Sequence, residues 1–182
     1  NVAAAIFSAS GVTDFETLVV GDGATALAGF LRGDIDAYAA SLDTVAYLEH
    51  AGVPLTNVTG TSTAYLFGNG IAAEGGFIDE NPEIVAAFLR AYERAIEASL
   101  ADFEVVMEGC EKFSPQEAED RGISEALFNA IKDSLVSPDG DVFGFNNLAY
   151  WERVKQDLID AGEDVDAVDV STVFTNDYLP SS

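Results

Sequence analysis

The chain of 182 residues carries 32 acidic against eight basic side chains, a formal net charge of −24, and 48% of its residues are hydrophobic. Enough apolar content for a packed core excludes disorder, and the acidity repels phosphate backbones and anionic lipid, so neither nucleic acid nor a membrane surface is an expected partner. One cysteine, Cys110, and one histidine, His50, leave no disulfide framework, no thiolate metal cluster and no catalytic pair of obvious design. The length suits one domain or two small ones, and no run approaches the ~18 apolar residues that span a bilayer.

Asn1 to Ser10 reads as a small, apolar helix already under way, with no cap before it. The expectation is a sequence that starts partway through a protein. Phe15 to Val20 is a short run rich in β-branched residues, bounded by Asp14 and Gly21, and suits a strand buried on both faces. Thr25 to Leu31 has helical spacing, with Gly33 as the C-cap, and Ile35 to Ala40 is the next strand. Two strands joined by one short helix lie parallel with a right-handed crossover. Ligands of such sheets sit beyond the carboxyl ends of the strands. Gly21, Asp22, Gly23 and Thr25, then Ser41 and Asp43, therefore form one rim of a candidate cleft.

Ser41 to His50 is a helix with Leu42, Val45, Ala46 and Leu48 inward, and His50 fits as a cation at its C-terminal end. Pro54 to Val58 is a short strand. Thr59 to Thr63 is polar and glycine-containing, like a segment crossing between lobes, and Ala64 to Phe67 and Gly70 to Ala73 form an interrupted strand. From Asp79 the pattern is helical throughout. Asn81-Pro82-Glu83 starts a helix carrying Ile84, Phe88, Leu89, Tyr92, Ala95, Ile96 and Leu100 on one stripe. Ala101 to Glu111, a segment from Ser114 to Leu135 interrupted at Arg121-Gly122, and a helix from Asn146 or Asn147 to Ala161 follow. Pro138-Asp139-Gly140 is a turn, Gly162 a stop, and Val170 to Phe174 a short helical turn.

Three motifs invite chemistry. The Gly21–Thr25 loop lacks the lysine of a phosphate loop and the third glycine of a dinucleotide loop, which excludes nucleotide binding. It reads either as a ligand loop or as a strand-to-helix turn capped by Asp22. Ser41 and Asp43 carry the same alternative, a rim or a cap. Tyr65, Phe67 and Asn69 lie on the presumed crossing strand, where the polar Asn69 between glycines is the best candidate and the aromatics read more readily as core. The carboxylates of Glu117, Glu119 and Asp120, and of Glu163, Asp164 and Asp166, lack the spacing of a calcium loop and read as a solvated face. No metal and no cofactor is expected.

Gly33-Asp34-Ile35-Asp36-Ala37, Gly70-Ile71-Ala72-Ala73, the run from Phe77 to Val85, Phe88-Leu89-Arg90-Ala91 and the close from Trp151 to Leu179 resemble, in order and spacing, the carboxyl-terminal part of periplasmic solute-binding proteins of the nitrate, sulfonate, taurine and thiamine-pyrimidine type. The resemblance implies an α/β, periplasmic-binding-protein-like (type II) fold with a parallel-sheet lobe and a helix-rich second half. It implies that the first lobe is largely missing: residues 1–60 would belong to the second lobe, and 61–182 would be a crossing strand and helices returning to the first. It further implies a non-enzymatic, periplasmic or membrane-tethered protein that delivers a small ligand to the membrane subunits of an ABC transporter. An exposed apolar face, open to self-association, would follow from the absent lobe. A thiamine-pyrimidine synthase on the same fold would call for more histidine and cysteine than this chain has, and an effector-sensing domain of a transcription regulator is the third reading. The rim holds Asp22 and Asp43 and no lysine or arginine, so an amine-bearing or neutral heterocyclic ligand fits it better than a nitrate or sulfonate.

Overall fold

The computed structural model describes residues 14–19, 24–58, 66–135 and 143–180. The helix expected over Asn1–Ser10 and the turn at Pro138–Gly140 lie outside them. Seven α-helices occur among the described residues: α1 (Ala24–Arg32), α2 (Leu42–His50), α3 (Gly75–Glu80), α4 (Pro82–Ala101), α5 (Phe103–Phe113), α6 (Arg121–Ile131) and α7 (Leu148–Asp160). Single 3₁₀ turns stand at Pro115–Ala118, Lys132–Leu135 and Val170–Thr172.

The helix ends follow local chemistry. Gly33 takes φ +76° after α1, its N–H reaches Phe30 O at 3.0 Å, and Asp34 N reaches Gly29 O at 3.0 Å, the paired bonds of a Schellman end. Gly162 closes α7 in the same way, with φ +88° and bonds to Ile159 and Leu158 carbonyls. Three helices are capped at their N-termini by short polar side chains. Asp102 Oδ1 accepts from Glu104 N at 2.9 Å, Asp120 Oδ1 from Ile123 N at 3.1 Å, and Asn147 Oδ1 from Ala149 N at 2.9 Å. Asn81 stands at the N-cap of α4, but its side chain donates backwards to Phe77 O at 3.1 Å. At α3, Glu74 accepts from Phe77 N at 2.8 Å; a bond from Gly76 N–H, and then this one, hold its carboxyl below the usual carboxylate range.

Among the described residues the buried apolar side chains are few: Ala46 and Leu48 on α2, which packs against α6, Met107 on α5, and Val170 in the last 3₁₀ turn, whereas Leu42, expected inward, is 52% exposed. Leu42 opens its helix at the first turn, before the packed stretch begins. Phe103 of α5 meets Phe128 of α6 with ring centroids 5.4 Å apart, and Arg121 pairs with Glu104 while lying over the Phe103 ring. No residue of α4 is buried: Ile84, Phe88 and Tyr92, one helical turn apart in succession, all remain exposed.

The described parts of the segments read from sequence as strands, 15–19, 35–40, 54–58, 66–67 and 70–73, form no backbone ladder among the described residues. Val19 is 90% and Leu18 62% exposed, so the run from Phe15 is not a doubly buried strand here. A parallel strand is buried only where neighbours flank it and helices cover both faces, and no described strand flanks residues 14–19.

Candidate functional site

Segments 34–43, 54–58 and 66–73 line one broad, open concavity, closed on another side by the start of α7 and the tail after Thr172. Of the candidate residues, Ser41 and Asp43 from the rim and Asn69 from the expected crossing strand come to this surface. Gly21, Asp22, Gly23 and Tyr65 lie outside the described residues, and Thr25 stands in the first turn of α1.

Ser41 occupies the N-cap of α2 in an extended conformation, φ −74° and ψ 162°, but makes no side-chain cap. Its hydroxyl instead pairs with that of Thr44 at 3.2 Å. Asp43 is exposed in the first turn of the same helix, where the positive end of the dipole favours an acid. Neither group is consumed by the capping role that the sequence offered as its alternative. Tyr38 rests its ring 6.1 Å from that of Phe30, which folds the segment after α1 back against that helix.

The 66–70 segment is held by an aromatic stack. Phe67 lies on Trp151 with centroids 4.6 Å apart and planes 29° from parallel, and Tyr150 approaches the same ring at 6.3 Å. Trp151 also stacks with Phe174 at 5.7 Å and 12°. The indole N–H donates to Asn146 Oδ1 at 3.2 Å. Asn146 is in turn clamped by Asn176, which accepts from its backbone N–H at 2.9 Å and donates to its carbonyl at 3.0 Å. Sequence reading placed Trp151 on an inward helix face, but the Asn146–Asn176 clamp spans thirty positions and has no local pattern to betray it.

The electrostatics are one-sided. Every charged side chain lining the concavity is a carboxylate, among them Asp34, Asp36, Asp43 and Glu49. Asp34 is partly neutralised by Arg32 at 2.7 Å. All eight basic residues of the sequence lie among the described residues, and none of them lines this surface. No group of three or more metal-ligating side chains is assembled among the described residues, and no helix there is long and apolar enough to cross a membrane. Glu117, Glu119, Asp120, Glu163, Asp164 and Asp166 are all exposed to solvent.

The NMT1/THI5-like family model matches residues 2–104, more than half of the chain and the stretch that holds Ser41, Asp43 and Asn69. The chain belongs to that family. It is also similar to the riboflavin-binding protein RibY of Chloroflexus aurantiacus, with 26% identity over 138 residues, 73% of this chain and 39% of the relative. The chain thus spans about two fifths of the length of the curated relative it matches. No solved structure matches it significantly.

Proposed function

We propose that this chain is part of the solute-capturing component of an ABC-type uptake transporter. It contributes one wall of a cleft that closes on a small organic ligand. The observation that carries this reading is the family match over residues 2–104, which takes in Ser41, Asp43 and Asn69, three candidate residues that share the open concavity. In this role residues 1–60 belong to the second lobe, and the helices of 61–182 return to clothe a first lobe supplied by further sequence. The exposed stripe of Ile84, Phe88 and Tyr92 supports that arrangement, since an amphipathic helix ordinarily spends its apolar face on a neighbour. The protein works outside the inner membrane, periplasmic or tethered, and hands its ligand to the transporter's membrane subunits.

The ligand is an amine-bearing or neutral nitrogen heterocycle. An anion about 6 Å from a single carboxylate, at an effective dielectric of about 20, is disfavoured by about 3 kcal/mol, and this wall offers several carboxylates and no cation. A neutral ring escapes that repulsion and an ammonium gains from it. The test is a thermal-shift series on the full-length protein with nitrate, taurine, 4-amino-5-hydroxymethyl-2-methylpyrimidine and riboflavin. A bound solute at a hundredfold excess over Kd adds about 2.7 kcal/mol. A rise in Tm of several degrees with a heterocycle supports the proposal; no rise with any small solute overturns it.

A further inference from the structure

Phe67 and Asn69 have a property that neither the family match nor the charge of the concavity explains. Phe67 has one face against Trp151 and is still 37% exposed, and it lines the concavity. Trp151, the ring that supports Phe67, is itself held against Phe174, and Tyr150 meets Phe67 only at a tilt, 6.3 Å away and 57° from parallel. Two positions on, Asn69 is exposed and its side chain takes no hydrogen-bond partner among the described residues. Gly68 and Gly70 flank it, and a Cβ built on either would meet nothing within 4 Å. Neither glycine has a positive φ that would demand its identity. Bare backbone thus faces open space beside a flat ring that is braced from behind.

We propose that Phe67 and Asn69 form a recognition platform for a planar heteroaromatic ligand. The ligand stacks on the outer face of Phe67, lies close over the Gly68–Gly70 backbone, and has its polar edge read by the Asn69 amide. An aromatic ring favours an offset stack with a flat partner. An amide supplies two donors and one acceptor carbonyl, enough to pair with the alternating donor and acceptor atoms of a nitrogen heterocycle. The brace matters because a ring already fixed by Trp151 loses little freedom when the ligand arrives. The inference rests on the solute-binding reading above and names the residues that would set its specificity.

The experiment is equilibrium binding by the full-length protein of riboflavin, 4-amino-5-hydroxymethyl-2-methylpyrimidine and taurine. It is run on the wild type and on Phe67→Leu, Phe67→Tyr, Asn69→Ala and Gly70→Ala, with circular dichroism to confirm that each variant is folded. The expected result is binding of one of the two planar solutes, weakened at least tenfold by Phe67→Leu and by Asn69→Ala and preserved by Phe67→Tyr. Gly70→Ala, whose added methyl meets no neighbour among the described residues, is expected to weaken binding without lowering Tm. If riboflavin is the solute, its visible absorption band should lose intensity and shift on binding, and less so in Phe67→Leu. Unchanged affinity for a planar solute in both folded Phe67→Leu and Asn69→Ala overturns the platform and leaves solute binding standing. Tight binding of taurine alone does the same. Binding of none of the three overturns the platform together with the reading beneath it.

Discussion

Phe67 and Trp151 stand 84 positions apart and stack with ring centroids 4.6 Å from one another, so the segment bearing Asn69 is fastened to the first turn of α7. Trp151→Ala removes the centre of the three-ring stack and the indole bond to Asn146. A fully buried Trp→Ala change costs about 3–5 kcal/mol. Because Trp151 is half-buried, the expected loss is nearer ~2–3 kcal/mol. Urea unfolding followed by circular dichroism should show a lower midpoint at unchanged slope.

The clamp beneath that stack gives a second prediction. Asn176 makes two bonds to the Asn146 backbone, one as acceptor and one as donor. Asn176→Ala loses both and is expected to cost about 1–3 kcal/mol. Asn176→Asp keeps the acceptor at neutral pH and loses the donor, so it should fall between Asn176→Ala and the wild type in the same unfolding series.

Capping distinguishes two residues that look alike in sequence. Asp120 accepts from Ile123 N at the start of α6, and Asp120→Ala is expected to cost ~1 kcal/mol. Asn81 precedes Pro82 in a strong start pattern, yet its amide serves the end of α3. Asn81→Ala should therefore cost less than Asp120→Ala when the two are compared by thermal unfolding.

How much of this was legible depends on whether the deciding chemistry is local. Gly33 and Gly162 stop helices through bonds that reach three and five residues back, and Asn147 caps α7 from the position before it, so each can be read along the chain. The helix expected from Ala101 begins two residues later because Asp102 takes the cap. Strands are another matter. A β-branched run such as that ending at Val19 becomes a strand only through ladders with distant segments, and none forms among the described residues. At the candidate site, the absence of cations was readable from residue identities. That the Ser41 hydroxyl pairs with that of Thr44, and that Phe67 is braced by Trp151, depends on three-dimensional contacts.

Acid should act on the pair joining α5 to α6. The Arg121 guanidinium holds the Glu104 carboxyl below the usual carboxylate range. A carboxyl whose pKa is lowered on folding contributes stability above its unfolded value, about 4.3, and loses it as pH falls through the folded value. Glu104→Gln should thus be less stable than the wild type at pH 7, and the gap should close below about pH 4. Both groups are exposed, so the gap should also shrink with added salt. Tm measured against pH for the two proteins checks the sign.

Isothermal titration of the full-length protein with solutes of opposite character tests the central claim most directly. Nitrate and taurine stand on one side, and a pyrimidine and riboflavin on the other. The account predicts one-to-one binding of a heterocycle and no measurable heat with nitrate. Tight binding of nitrate or taurine with no affinity for either heterocycle would contradict it.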